Sequence, residues 1–178
     1  VTMYHERADD DYVEHYGYDG PNAVVALPDG ETAITGGDDN AIVKMNLRAG
    51  QLLMRKEEGH IRRVWKICLA PDSTFIVCCD FNSDVVKVFN VDTFELMQSL
   101  IGHDEQNVES VAVSPDSTIA TGNAGGMVRI WVKGGAEVWA CVKSLEDHES
   151  WVFTVVFSPN GDMLATASWD RKINVYSV

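Results

Sequence analysis

The sequence predicts an all-β protein assembled from four copies of one antiparallel unit, and three observations predict it. The segments 27–47, 70–90, 114–132 and 158–176 superimpose on Pro28, Pro71, Pro115 and Pro159, whose intervals of 43, 44 and 44 residues define a repeat. Inside each repeat, short apolar runs alternate with polar residues and are bounded by Gly, Pro, Asn and Asp, the period-2 pattern of strands. No run carries a helical period over a useful length. A repeat of this length belongs to architectures whose units bury their apolar faces only by stacking on neighbours.

The elements follow in order. Ahead of Pro28, residues of about 11–16 read as an outer strand and 22–27 as an inner strand. Pro28-Asp29-Gly30 then makes a hairpin turn, repeated as Pro71-Asp72-Ser73, Pro115-Asp116-Ser117 and Pro159-Asn160-Gly161. Proline presets φ there, and Asp, Asn, Gly or Ser accommodates the bend. Fourth strands are available at 94–100 and 137–144. In the last unit, 152–157, 163–168 and 173–178 are strands, with Trp169-Asp170-Arg171-Lys172 as a tight turn. Only 19 residues follow Pro159, so this unit lacks its fourth strand. The 178 residues therefore read as one segment with units of about 11–48, 49–91, 92–133 and 134–178, the 11–16 strand completing the last unit or a neighbouring one.

Composition narrows the function classes. With 46% hydrophobic and 23% charged residues the chain has the balance of a soluble globular protein, which excludes disorder and collagen-like fibres. No apolar run approaches the roughly 20 residues of a membrane helix. A net charge of −13 opposes binding to nucleic acid or anionic lipid, and the short basic pairs Arg62-Arg63 and Arg171-Lys172 read as exposed turns. Cys68, Cys78, Cys79 and Cys141 show no metal-ligand spacing and lie in apolar runs, as expected of free thiols in a reducing compartment such as the cytoplasm. No cofactor or metal motif is visible. The chain opens on Val1 without an initiator Met or a basic-then-apolar leader, and so reads as processed or as a piece of something longer.

Gly-His or Asp-His pairs recur ahead of the later units, as Gly59-His60, Gly102-His103 and Asp147-His148, whereas the Tyr16-Gly17-Tyr18 region has none, and Ser168-Trp169-Asp170 and Arg129-Ile130-Trp131 stand late in their units. This arrangement resembles the WD-repeat family of β-propellers, over nearly the whole chain from about residue 11. The resemblance implies four four-stranded blades, standing alone or within a larger ring completed by a second copy or by further blades. It also implies a buried tetrad of His, Ser or Thr, Asp and Trp. In the last unit this maps to His148, Thr166 or Ser168, and Asp170, with Tyr176 at the Trp position. The other units depart from it: Gly125 stands near the Asp position of the third, Phe89 and an extra residue mark the second, and Met45 replaces Trp in the first.

No nucleophile-base-orienter set stands out, so the chain reads as a non-enzyme. The resemblance implies an interaction scaffold that binds a peptide or partner protein on the channel-mouth face. The alternative is a structural half-propeller that completes a ring by self-association or within a larger complex. Strand alternation places Trp151 and Phe153 opposite Val152, and in the family's pattern they join Trp169 on that face, with Arg63 and Trp65 as the corresponding pair of the second unit. Exposed aromatics of this kind act as binding anchors. Packing against a neighbouring blade is the competing reading for Trp151. Arg63 extends the expectation to ligands carrying acidic side chains.

Overall fold

A computed structural model describes residues 20–57, 62–135 and 137–178, and in them the chain forms fifteen strands and no helix. The first sheet runs in the order β1 (Pro21–Ala26), β2 (Thr32–Gly37), β3 (Ile42–Asn46), β4 (Gln51–Lys56). The second is β5 (Val64–Leu69), β6 (Phe75–Asp80), β7 (Val86–Asn90), β8 (Leu96–Leu100). The third is β9 (Val108–Val113), β10 (Ile119–Asn123), β11 (Val128–Lys133), β12 (Trp139–Leu145). The fourth has three strands, β13 (Val152–Phe157), β14 (Met163–Ser168) and β15 (Ile173–Ser177). The anticipated strand at about 11–16, and His60, lie outside the described residues.

Turn chemistry explains why the strands begin where they do. Asp29, Asp72 and Asp116 each accept backbone amides two or three residues on, Asp29 from both Glu31 and Thr32 at 2.9 and 2.8 Å. A hydrogen bond from the Ser114 hydroxyl, opposed by partial burial, holds the Asp116 carboxyl below its usual range. The next residue takes the left-handed conformation in all four turns: Gly30, Ser73, Ser117 and Gly161 have φ between 62° and 82°. The hydrogen-bonded sheets are framed one strand later than the repeat units. Tight connections fold β4 back on β3, β8 on β7 and β12 on β11, whereas the longer links lead on to the next inner strand.

The chain divides into two compact units, Val1–Ile67 and Cys68–Val178, with the boundary inside β5. In the first, Ile34, Ile42 and Val64 are wholly buried. Gly36 is required there, because a Cβ would lie 2.4 Å from a Val64 methyl. In the second, Ala112, Ala120, Val128 and Ile130 of the third sheet form one core with Val152, Val155 and Leu164 of the fourth. The register Ala112, Ala120, Ile130 recurs as Val156, Ala165, Val175 in the fourth sheet. Nothing described covers that second copy, and Ile173 and Val175 are 74% and 60% exposed.

Candidate functional site

The link before β13, the end of β14 and the β14–β15 turn converge on His148. Its Nδ1 lies 2.8 Å from Asp170 Oδ2 and its Nε2 2.8 Å from the Thr166 hydroxyl. Asp170 also accepts the Glu149 and Lys172 amides, and Ser168 bonds the Ser150 carbonyl while accepting the Asp170 amide. Removal from solvent works to raise the Asp170 pKa, but the bonds from His148 and the two amides prevail and bring it down to about 2. Tyr176 stands in register with Leu164, as Trp131 does with Ile119. Its hydroxyl, however, is buried without a hydrogen-bond partner within normal distance. The Trp131 indole N–H reaches Thr121 at 2.9 Å; the Tyr176 hydroxyl makes no such bond, though Asn174, Asp147 and Thr166 lie near enough to act on it while burial pushes its pKa up.

Each of the other sheets meets the same need with different residues. In the third, His103 Nε2 lies 2.7 Å from Thr121, but Gly125 offers no carboxylate. Asn123 takes over the turn by accepting the Gly125 and Met127 amides, and His103 Nδ1 is left buried without a partner. Burial, helped by the Arg129 charge, lowers the His103 pKa to about 4. In the second sheet a buried ion pair joins Lys87 to Asp80 at 2.5 Å. In the first, the Asp39 carboxylate accepts from Arg55 at 2.8 Å and from the Ala41 amide at 3.2 Å. These two cation pairs are absent from the sequence reading. Asp80 and Lys87 flank one hairpin, so opposite charges on adjacent strands were the available signal.

The three predicted aromatics come together. The rings of Trp151 and Trp169 stack with centroids 4.9 Å apart and planes 8° apart, and Phe153 tilts against Trp169 at 4.6 Å. Phe153 is the residue skipped by the register shift between Val152 and Thr154, a β-bulge that re-aims its side chain. The same bulge skips Asn22 in β1 and Glu109 in β9, and Glu109 stays buried. The Trp169 amide bonds the Trp151 carbonyl at 3.0 Å, tying the turn to the inner strand. Trp151 is 38% and Trp169 64% exposed.

Arg63 and Trp65 belong to β5 and the residues before it, in the Val1–Ile67 unit. Arg63 grips both Asp38 carboxylate oxygens, at 3.0 and 2.8 Å, and Asn22 donates to the same carboxylate at 2.6 Å. Its charge is therefore met in part within the chain. Trp65 is half-buried, with the Lys66 ammonium 5.4 Å from its ring.

Among the described residues no helix is long and apolar enough to cross a membrane. The family profile described as WD domain, G-beta repeat matches residues 51–90, 94–132 and 139–177. Curated relatives include a probable cytosolic Fe-S cluster assembly factor of Schizosaccharomyces japonicus, 30% identical over 66% of this chain and 19% of its own length. WD repeat-containing protein SL1-17 of Schistosoma mansoni is 29% identical over 84% of this chain and 48% of its own. Human echinoderm microtubule-associated protein-like 2 is 28% identical over 89% and 23%. The chain thus spans less than half the length of each. Repeats of this kind imply protein–protein interaction scaffolds and are generally without enzymatic activity. With three profile matches covering most of its length and sheets of matching topology, the chain belongs to the WD-repeat family of β-propeller proteins.

Proposed function

We propose that the chain is a non-catalytic scaffold segment that docks a partner protein or peptide through Trp151, Phe153 and Trp169. The observation that carries this reading is the exposure of Trp169 at a position the fold leaves free. The equivalent residue of the third sheet is Ala124, in a turn of the same shape: Gly126 there has φ 92° and Arg171 in the fourth has φ 69°. The Trp169 turn is set by Ser168 and Asp170, so the indole is not needed to form it. A partly stacked aromatic that keeps most of its surface in water is poised to bury it against a partner, and a central anchor is worth about 2 kcal/mol or more. Trp169→Ala should lower recovery of the native partner at least several-fold with an unchanged melting temperature. Unchanged recovery removes this face, and a collapsed melting temperature assigns Trp169 to packing.

A second reading rests on the open apolar face of the fourth sheet. Its equivalents Val128 and Ile130 are buried in the third. Packing of a further blade, from a second copy or a larger assembly, on Ile173 and Val175 completes that layer. A solution mass of a single chain, with no loss of stability on Val175→Ser, argues against it. Both readings place the chain in a reducing intracellular compartment, which is supported by Cys68, Cys78, Cys79 and Cys141, none of them in a disulfide.

A further inference from the structure

The turn between β13 and β14 carries an amide where its three counterparts carry an acid. Asp29, Asp72 and Asp116 follow the proline in the other turns, but here the residue is Asn160, and Asn160-Gly161 is the only Asn-Gly pair in the chain. The Asn160 carboxamide is fixed at both of its polar atoms. Its Oδ1 accepts the Ser158 hydroxyl at 2.7 Å and the Asp162 amide at 3.3 Å, and its Nδ2 donates to the Asp162 carboxylate at 2.7 Å. The Met163 amide donates to Ser158 Oγ at 3.0 Å, which leaves the hydroxyl hydrogen for Asn160. Gly161, in the left-handed region at φ 82°, donates its amide to the Ser158 carbonyl at 2.9 Å. Pro159, Asn160 and Asp162 are all exposed, and so is Asp116 in the third sheet, on which the fourth packs. Water therefore reaches a turn of this kind whether or not another sheet follows.

We propose that Asn160 is a site of spontaneous deamidation in the folded chain, and that its aspartate product is seated as Asp29 is in the first sheet. The Gly161 nitrogen, losing its proton to solvent base, bonds to Asn160 Cγ, and glycine has no side chain to obstruct that approach. As Cγ becomes tetrahedral, negative charge gathers on Oδ1, where the Ser158 hydroxyl and the Asp162 amide already stand as donors. The Cγ–Nδ2 bond then breaks, ammonia leaves with a proton taken from water, and a further water opens the cyclic imide to a carboxylate. No oxidant or reductant enters. The Gly161 to Ser158 bond has to open first, which an exposed turn allows by local fluctuation. Asp29 shows how the product fits. Its turn has the same length, closed from Leu27 to Thr32 at 2.8 Å as this one is from Ser158 to Met163 at 2.8 Å. Asp29 accepts the Glu31 amide as Asn160 accepts that of Asp162, and Glu31 tolerates there the acidic neighbour that Asp162 would become. Opening of the imide toward isoaspartate instead routes the backbone through the side chain, lengthens the turn and displaces Gly161, which packs close to Pro115. The site rests on this turn alone and is independent of the aromatic stack.

The test incubates the full chain at mildly alkaline pH, folded and in urea, and follows the gain of one negative charge by ion exchange, with mass spectrometry of its peptides to place the change. Conversion at Asn160 is expected in the folded chain. Ser158→Ala, which removes a donor from Oδ1, should slow it by about threefold or more, and Ser158→Thr, which keeps the hydroxyl, should restore it. Neither variant should alter the rate in urea. Asn160→Asp, made directly, should melt with the parent chain, and the isoaspartate form separated from the incubation should melt lower. Conversion in urea but not in the folded chain overturns the proposal, as does a folded Ser158→Ala chain that converts as fast as the parent. A melting temperature of Asn160→Asp well below that of the parent overturns the seating of the product.

Discussion

At the scale of single residues, four versions of one lock can be compared inside a single chain. His148, Thr166 and Asp170 satisfy one another, so His148→Ala strands both partners. It should destabilise by about 1–3 kcal/mol, read from urea denaturation midpoints. His103 has the same threonine partner but no carboxylate, and the consequence depends on pH. An unfolded histidine takes up its proton near 6.5, whereas buried His103 resists until about 4. As pH falls through that window the unfolded state gains a proton that the folded state refuses. Stability therefore drops from about 6.5 toward 4, and this group adds no further loss below. Gly125→Asp should supply the missing acceptor, raise the His103 pKa and flatten that slope in denaturation midpoints measured at both ends of the window. A Cβ at Gly125 meets the flexible Gln106 side chain at 3.1 Å and Asn123 Oδ1 at an ordinary 3.5 Å, so the substitution fits. The His148 cluster was legible because its residues are consecutive landmarks of the repeat. That the Tyr176 hydroxyl falls short of a hydrogen bond there was not, because it turns on the fine placement of one ring.

At the scale of elements, the hairpins were readable and their cross-strand partners were not. Pro-Asp-Gly and Pro-Asp-Ser name their own turn type, and strands 152–157 and 163–168 fall where alternation put them. The bulge at Phe153 leaves no mark in the sequence, since Asn22 and Glu109 occupy the same place. The Arg55 to Asp39 pair depends on the register of β4, which no local pattern sets. The buried Lys87 to Asp80 pair in the second sheet invites a double-mutant test. Lys87→Met alone leaves a buried carboxylate without its cation and should cost about 3–5 kcal/mol. Lys87→Met combined with Asp80→Val should recover most of that loss, because a matched apolar pair avoids desolvating charge. Chemical denaturation of the three variants beside the parent chain checks both statements.

For the whole molecule, the excess of 27 acidic over 14 basic side chains acts against compactness. Folding concentrates like charges, and added salt screens them over about 10 Å at 0.1 M. The melting temperature should therefore rise between low and moderate sodium chloride concentrations; a fall would mean that internal pairs such as Arg63 with Asp38 outweigh the net repulsion. The family and the order of the sheets were legible from the 44-residue rhythm, because a repeat states its architecture several times over. Which surfaces stay open was not, because exposure of Trp169 or Ile173 depends on what stands next to a sheet and not on the sheet itself.

The close approach at Gly122 is what lets the inner strands of the third and fourth sheets share one core. A methyl added there would sit 2.7 Å from Val152 Cγ1, with no room to rotate away. The inner strands would have to part, opening the core that Val152 fills between them. Gly122→Ala should therefore lower the melting temperature, and thermal denaturation of that variant beside the parent chain measures the cost of parting them directly.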